Sequence, residues 1–580
     1  MTSRARSGLV LLAVIATAAL FAAPAAAKGP SPERSAPQGT LLVAPDVQRN
    51  LPPITPREAV RIADRTPQVR SERSRHPDLH PDNITLFKGS GNWGISYLSG
   101  QDKLADVTVD GRTGRVIEAW QGTQAAWVMA RGHHGYFGKR FDAWYIWLPL
   151  CLLFVAPFVD PRRPFRMLHV DLLVLVGGFG LSHFFFNKGE IGTSVPLVYP
   201  VLAYLLVRML VAGFRPRRTG ERLVPFAPAA FFVVAILALV GFRVGLDLTD
   251  GKVGDVGYAS AIGAWRIEHG QPLYVDSGRE DQHFDTYGPV NYLAYYPFVK
   301  ALPPSQAEVT APDDYNLGAA RAATLTFDLF TIVGLFLLGG RLRRGREGRM
   351  LGLALAYAWV AYPYTLFPLM SNTNDTLVSM LVVGALLAIT SAPARGALTA
   401  LAAAAKFAPV ALAPLFATGR GEWRNRSWTW FTIAFAAVLA ALVLPFIPAK
   451  GGFGTFWGQT IGFQFTRQSP FSIWGQNPGL DWLLTLLKVG AAGLAVAVAF
   501  FPRRRSEVQV AALGAAVLIA TQLIAIHWFY LYIDWFVPFA LVALFHEYRT
   551  DRGRKQRPEP STVEIAPTPL APERELAGVG

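Results

Sequence analysis

Apolar runs recur along most of this chain, and they constrain its fold more than any other feature. Between about residue 144 and residue 547, several runs approach the roughly 20 residues that an α-helix needs to cross a bilayer. Only 16% of the residues are charged, whereas soluble domains carry about 25%. The surface therefore cannot face water throughout, and the main part of the chain is predicted to be an all-α polytopic membrane protein.

The basic residues are grouped rather than spread evenly. A net charge of +15 would favour nucleic-acid binding in a soluble protein, but here arginines cluster between apolar runs, at 162–166, 215–218, 341–349 and 503–505. Such clusters are typical of the cytoplasmic loops of membrane proteins. We therefore attribute the charge to topology and expect no nucleic-acid partner. The single cysteine, Cys151, excludes an intramolecular disulfide.

The lengths of the apolar runs predict eleven membrane spans. They lie at about 143–159, 168–186, 193–213, 225–245, 320–340, 350–369, 375–391, 428–448, 480–500, 507–526 and 529–547. A further apolar stretch, 396–418, is interrupted by Lys406 and Pro409 and has arginines on both sides. We interpret it as one re-entrant element, because irregular backbone at membrane depth is tolerated where protein or a cavity covers it. This topology places every basic cluster in the cytoplasm.

The two ends of the chain lie outside the membrane domain 143–547. Arginines, an apolar run and Ala25-Ala26-Ala27 predict a signal peptide or an uncleaved signal anchor over 1–27, so the region after it is expected to be exported. Residues 28–54 are rich in proline and polar residues and are predicted to form a flexible linker. The segment 548–580, which begins with a basic stretch, is predicted to be a disordered cytoplasmic tail.

Residues 55–125 are predicted to form a small exported α+β domain. Thr55-Pro56-Arg57-Glu58 has the composition of a helix start. Alternating runs at 93–98, 105–109 and 115–120 predict strands, and Asp110-Gly111-Arg112-Thr113-Gly114 predicts the turn between the last two. A helix followed by strands ending in "VTVDGRTGRVIEAW" resembles a PepSY domain. This resemblance implies a structural or regulatory role.

The predicted topology exposes two long loops, 246–319 and 449–479, and His527 on the extracytoplasmic face. Loops longer than a connection requires usually carry function. Asp255 follows the fourth span directly, so its carboxylate is expected near the lipid headgroups. It could act as a general base towards an acceptor hydroxyl. The alternative is that Asp255 only caps the following helix.

Several segments in order are similar to those of one enzyme family. They are "GDVGYASAIGAWRIEHGQPLY", "FDTYGPVNYLAYYPF", "SNTNDTLVSMLVVGALLA", "AAAAKFAPVALAPLF", "RQSPFSIWGQNPGLDWLL" and "AIHWFYLYIDWFVPF". Together they resemble the GT-C glycosyltransferases, and in particular glycosyltransferase family 87, the polyprenol-phosphate-mannose-dependent mannosyltransferases. The resemblance covers about residues 225–547, which would be the GT-C-like core. The sequence departs from the family at Tyr287-Gly288-Pro289 and in the additional spans at 143–213.

This resemblance implies transfer of a sugar from a polyprenyl-phosphate donor to an envelope glycolipid or glycan. Mannose is the expected sugar, although arabinose or another pentose stays open. The implied mechanism is inverting, with Asp255 as the general base, on the extracytoplasmic face of a bacterial plasma membrane. The competing interpretations are a transporter or flippase of a lipid-linked sugar and a membrane sensor. Only one broken element and no internal repeat are present, which disfavours a transporter.

We assign further roles to residues on the predicted outer face. The donor phosphate is expected to contact His527 and Arg467, with Arg266 and His269 as second candidates. Their alternatives are a packing role for His527 and an interfacial role for Arg467. Contacts to the sugar or acceptor are predicted for Tyr258, Asp285, Tyr287, Asn374, Gln476, Asn477 and Trp528. Helix capping is the alternative for Asn374.

Lys406 is an ionisable residue within an apolar segment, where charges are costly and tend to be functional. The predicted topology places it towards the cytoplasmic side, so we expect a lipid-headgroup or structural contact. No phosphate-cradling glycine loop or zinc-ligand spacing occurs, which disfavours a soluble nucleotide-sugar enzyme. We expect no cofactor, although a divalent metal is neither required nor excluded.

Overall fold

The computed structural model describes residues 52–87, 90–134, 140–215, 227–274, 286–310, 317–421, 426–448, 451–466 and 469–546. The predicted signal segment 1–27, nearly all of the linker 28–54 and the tail 548–580 lie outside the described residues. So do Asp285 and Arg467, two of the predicted site residues. The described residues form a small α+β region followed by a large helical region.

The α+β region contains two helices and one four-stranded sheet. Its elements are α1 (Pro56–Ala63), α2 (Pro67–Arg75), β1 (His80–Phe87), β2 (Asn92–Ser99), β3 (Asp102–Val109) and β4 (Val116–Gln121). The sheet is antiparallel in the order β1-β2-β3-β4. The helix start at Thr55 is confirmed, because its hydroxyl accepts the N–H of Glu58 at 3.3 Å. The α+β organisation is therefore present, while the PepSY assignment stays a prediction.

Alternation of apolar and polar residues decides which face of the sheet is covered. Trp93, Ile95 and Tyr97 of β2 are buried against α1 and α2. The turn before β4 is stabilised by Asp110, whose carboxylate accepts the backbone N–H groups of Thr113 and Arg112. These hydrogen bonds favour the charged form and lower the pKa of Asp110.

All eleven predicted spans contain a helix, but the helices differ in length. Six are long and apolar enough to cross a bilayer: α5 (Met167–Asn187), α6 (Ile191–Phe214), α7 (Ala229–Asp250), α11 (Gly318–Leu342), α17 (Ser427–Phe446) and α20 (Pro478–Phe500). A seventh span is possible if the pair α12 (Gly345–Ala361) and α13 (Pro363–Met370), bent by 57°, counts as one. These spans make the chain an integral membrane protein.

Four predicted spans are shorter helices, so six or seven of the eleven predicted spans are candidate membrane spans by length and composition. They are α4 (Trp144–Phe158), α14 (Asp375–Leu387), α21 (Glu507–Leu523) and α22 (Tyr530–His546). Non-helical segments border three of them: 371–374 precedes α14, and 524–529 separates α21 from α22. Hydropathy averages across such interruptions, so the sequence predicted longer spans. The remaining helices of the described residues are α3 (Thr123–Ala126), α8 (Asp255–Glu268), α9 (Pro289–Ala301), α10 (Gln306–Thr310), α15 (Ala392–Ala405), α16 (Ala413–Thr418), α18 (452–466) and α19 (Ile473–Gln476).

The stretch 392–418 is broken at Lys406. Helix α15 ends at Ala405, and a short 3-10 turn leads into α16. The guanidinium of Arg395, near the start of α15, donates to the carbonyls of Phe416 (2.6 Å) and Ala417 (3.4 Å) at the end of α16. The chain therefore turns at Lys406 and returns to the end from which it set out, as expected of a re-entrant element.

Buried ion pairs connect the long helices. Arg243 of α7 donates to Asp328 of α11 at 2.9 Å, and the indole N–H of Trp359 donates to the same carboxylate at 2.8 Å. Arg208 of α6 donates to Asp171 of α5 at 3.0 Å. A buried charge is tolerated when it is paired and hydrogen-bonded. These contacts fix how the helices pack, and with them where the helix ends meet.

Candidate functional site

Broken helices and helix ends enclose a cavity of about 440 Å³. Its polar wall contains Asp255 at the start of α8, Asp375 at the start of α14, Lys406 at the break after α15, and His527 before α22. Most cavity residues come from interruptions between helices, where side chains and backbone groups are not committed to a regular ladder. Asp255 and His527 line the same cavity although they are 272 positions apart in the sequence.

The loop that leads into α8 lies in close backbone contact with the segment around Met370 and Ser371. The N–H of Lys252 donates to the carbonyl of Met370 at 2.9 Å, and the N–H of Gly254 donates to the carbonyl of Ser371 at 2.7 Å. A Cβ at Gly257 would lie 2.0 Å from the carbonyl oxygen of Asn372. Glycine is therefore required where α8 passes the 371–374 turn, and this approach brings Asp255 to the cavity.

Asp255 is exposed to the cavity. It is the first residue of α8, and Gly254 occupies the N-cap position. One carboxylate oxygen accepts the backbone N–H of Val256 at 2.8 Å. Within the part of the chain that the structure describes, no Lys, Arg or His forms an ion pair with Asp255. The geometry therefore leaves this carboxylate able to accept a proton from a bound hydroxyl.

Lys406 lies in the same cavity, paired with a buried carboxylate. Its Nζ is 2.5 Å from Oδ1 of Asp375. Asp375 also accepts the indole N–H of Trp535 at 2.8 Å and, through Oδ2, the hydroxyl of Thr373 at 2.7 Å. These bonds hold the lysine at one point of the wall.

Aromatic rings surround the ammonium group of Lys406. The ring centres of Trp535, Tyr532 and Tyr287 lie 5.2, 5.6 and 5.7 Å from Nζ. Rings at this distance attract a cation electrostatically. Tyr287, predicted as a sugar contact, therefore lies at the cavity and faces the lysine.

The predicted topology places Asp255 on the outer face and Lys406 towards the cytoplasmic side, whereas in the structure both residues line one cavity. Lys406 is the turning point of a returning segment, and α15 has 14 residues. At 1.5 Å per residue, the ten residues that follow Arg395 in this helix carry the chain about 15 Å from it. Arg395, Gly419 and Arg505 lie together at the end of α15 opposite Lys406. There Arg505 donates to the carbonyl of Gly419 at 2.6 Å.

His527 lines the cavity, while its role in donor binding stays a prediction. Its Nδ1 is 2.8 Å from the hydroxyl of Ser469, a contact that orients the ring. Phe471 packs on it edge-on at 5.4 Å, and Trp127 lies tilted at 6.1 Å. The histidine is thus held in place from two sides.

Three predicted sugar contacts are buried beside the cavity but are not part of its wall. Tyr258 donates its hydroxyl to the carbonyl of Glu308 at 2.9 Å, and Asn374 donates its amide to Asn291 at 2.7 Å. Trp528 donates its indole N–H to Gln522 at 3.1 Å. In the structure these residues support the elements that carry the wall.

The two polar residues predicted in the second outer loop bond to backbone instead. Gln476 donates to the carbonyls of Pro470 (2.9 Å) and Ile191 (3.1 Å), and Asn477 donates to the carbonyl of Ile473 (3.0 Å). They shape the loop around α19. The second phosphate candidates, Arg266 and His269, lie at the end of α8, fourteen residues or fewer from Asp255 but outside the cavity wall.

Several wall residues were not predicted from the sequence. They are Trp127, Val128, Met129, Lys252, Thr286, Thr373, Gln464, Lys488 and Gln522. Thr286 and Thr373 lie within segments that resemble the glycosyltransferase family, but no role was predicted for either. Among the others, only the intramembrane position of Lys488 would have drawn attention to it. Among the described residues, no group of three or more His, Cys, Asp or Glu side chains is placed to hold a metal ion.

Fold and site together define a polytopic membrane protein with a polar cavity at the meeting point of broken helices. Residues 286–525 match the family model described as Glycosyltransferase family 87. The match supports a glycosyltransferase, an enzyme that moves a sugar from a donor to an acceptor. It includes Tyr287, Asp375 and Lys406, and it ends before His527 and begins after Asp255. No curated protein matches the chain.

Proposed function

We propose that the protein transfers a sugar, with mannose as the expected one, from a polyprenyl-phosphate donor to an envelope glycolipid or glycan. The reaction takes place on the extracytoplasmic face of a bacterial plasma membrane and inverts the configuration of the sugar. The family match supports sugar transfer in general. The observation that carries the finer proposal is the shared cavity of Asp255, Lys406 and His527.

In this proposal Asp255 is the general base. The acceptor hydroxyl gives its proton to the carboxylate while its oxygen attacks the anomeric carbon, and the bond from that carbon to the phosphate oxygen breaks. A base must be within hydrogen-bond reach of the proton it takes. Exposure of Asp255 to the cavity, without a competing ion pair in the described chain, supports this role.

Lys406 and His527 are proposed to receive the leaving phosphate, which departs with the bonding electrons. An ammonium group has three N–H donors, and the described structure commits one of those of Lys406 to Asp375. Fixed cations aimed at developing charge lower the barrier of group transfer. This assignment adds Lys406 to the residues expected from the sequence, while Arg467 stays a candidate outside the described residues.

The apolar part of the cavity supports a lipid-linked donor. Its wall includes Val410, Ile461, Ile524 and Ile526, all distinct from the polar wall around Lys406. Apolar side chains gain by covering an isoprenoid chain, at about 25 cal/mol for each Å² removed from water. A water-soluble nucleotide sugar has no such chain.

The test compares purified wild-type protein with Asp255→Asn, using radiolabelled polyprenyl-phosphate mannose, then arabinose, and membrane glycolipid acceptors. The amide cannot take up the proton, so transfer is expected to fall about 10²–10⁴-fold. Asp481→Asn is the matched control, because Asp481 is also exposed near the start of a helix, α20, but lies outside the cavity wall.

Each outcome separates the alternatives. Equal transfer by Asp255→Asn and the wild type would leave a glycosyltransferase but remove Asp255 as its base. No transfer from either donor, combined with movement of the lipid-linked sugar across liposome membranes, would instead establish the flippase interpretation.

A further inference from the structure

The segment that joins the exported sheet to the first membrane helix forms part of the cavity wall. It consists of α3 and a 3-10 turn, Val128–His134, with Trp127 between them. Trp127, Val128 and Met129 all line the cavity that contains Asp255 and His527. This segment lies outside the residues 286–525 that match the glycosyltransferase family.

On one side, the sheet holds this segment through Arg131. The Arg131 side chain is buried and donates to the carboxylate of Asp106 in β3 at 2.6 Å. It also donates to the carbonyl of Gln124 at 2.8 Å and stacks over the ring of Trp120 in β4 at 5.3 Å. These three partners, a carboxylate, a carbonyl and an aromatic ring, restrict the Arg131 side chain to one conformation.

On the other side, the segment rests on the turn between α5 and α6. The amide of Gln124 donates to the carbonyl of Gly189 at 3.4 Å. The Cα of Gly132 approaches the carbonyl of Asn187 so closely that a Cβ there would lie 2.4 Å from its oxygen. The segment is thus fixed between the exported sheet and the membrane helices, and Trp127 is fixed with it.

Trp127 presents its indole ring to the cavity beside the predicted phosphate-binding residue. The ring is half-buried, packs edge-on against Phe471 at 5.7 Å, and lies 6.1 Å from the ring of His527. The face of an indole ring carries partial negative charge. The C–H bonds on one face of a sugar ring carry partial positive charge, so the two surfaces attract each other when they stack.

We propose that Trp127 binds a substrate sugar ring by stacking, and that the exported α+β domain determines the position of this contact. The proposal rests on the proposed function, because it requires a sugar in this cavity. The same chemistry would recognise the donor sugar or a sugar of the acceptor. Trp127 is therefore a specificity-determining residue that this chain adds to the family-matched region.

The first experiment measures KM for donor and for acceptor with the wild type, Trp127→Ala and Trp127→Phe. Loss of the ring is expected to raise KM for one of the two substrates about tenfold, equivalent to about 1.4 kcal/mol. Phenylalanine restores most of the contact, since it keeps an aromatic face. Trp482→Ala is the control, because Trp482 is 67% exposed and lies outside the cavity wall.

The affected KM identifies the source of the sugar: the donor if the donor KM rises, and the acceptor if the acceptor KM rises. Values within twofold of the wild type for both substrates in Trp127→Ala would overturn the proposal, whatever happens to kcat. The wild-type rate itself tests the proposed function. An inactive wild type therefore refutes that function, whereas an active wild type with an unaffected variant refutes only the role of Trp127.

A second pair of variants tests whether the domain positions the contact. Asp106 of β3 accepts an N–H of Arg131 at 2.6 Å, and Asp102 is an exposed residue of the same strand that serves as the control. Asp106→Ala is expected to raise the same KM as Trp127→Ala by at least threefold, and Asp102→Ala to leave it unchanged. A folded Asp106→Ala protein with wild-type KM values would show that the domain does not position Trp127.

Discussion

At the scale of single residues, the cavity contains charged side chains of two kinds, one exposed and without an ion pair, the other buried and paired. Asp255 is exposed and has one local hydrogen bond, to the N–H of Val256. Lys406 and Asp375 are buried and paired, and Trp535 and Thr373 complete the hydrogen bonds of that carboxylate. An unpaired carboxylate is suited to proton transfer, whereas a fixed cation is suited to binding an anion.

The pair of Lys406 and Asp375 has both a structural and a proposed functional role, and variants can separate them. Lys406→Met leaves the carboxylate of Asp375 buried without its cation. Breaking a buried pair in this way costs about 3–5 kcal/mol of unfolding free energy. Transfer is also expected to fall about 10²–10³-fold, since a donor to the leaving phosphate is lost.

The double variant Lys406→Met/Asp375→Asn distinguishes the two effects. It removes both charges, so thermal stability in detergent should recover towards that of the wild type, while transfer stays low. A stable double variant that transfers sugar at the wild-type rate would contradict the phosphate-binding role and leave the pair as a packing element only.

At the scale of elements, the apolar runs located the helices well. Six predicted spans are long helices whose ends differ from the prediction by a few residues, such as α7, expected over 225–245 and found over Ala229–Asp250. The turn at Lys406 was also expected, from one lysine and nearby prolines in an apolar segment. Helix position depends on local composition, which a sequence displays directly.

Contacts between elements were harder to predict. Arg243 and Asp328 each appear in the sequence as a single charge in an apolar run, and only the packing of α7 against α11 brings them together at 2.9 Å. The depth of Lys406 was misjudged because both ends of the stretch are basic. The sequence shows the charges at the ends, whereas the length of α15 carries the lysine away from them.

At the scale of the whole molecule, three distant parts of the chain meet at one cavity. The segment after the α+β region contributes Trp127, the broken helix contributes Lys406, and the segment before the last helix contributes His527. None of these parts encloses the cavity alone. The segment that follows the α+β region is therefore part of the cavity wall, and this contact between distant parts of the chain has no motif in the sequence.

A donor on the extracytoplasmic face also requires that the α+β region lies on one side of the membrane and the basic cluster 503–505 on the other. Arg112, in the exposed turn before β4, and Arg504, in the exposed basic cluster, mark these two sides. An impermeant maleimide is expected to label Arg112→Cys in intact spheroplasts and Arg504→Cys only after permeabilisation. The only native cysteine, Cys151, is 7% exposed and serves as the unlabelled background. Labelling of Arg504→Cys in intact spheroplasts, with Arg112→Cys protected, would place the cavity residues on the cytoplasmic face and reject an extracytoplasmic donor.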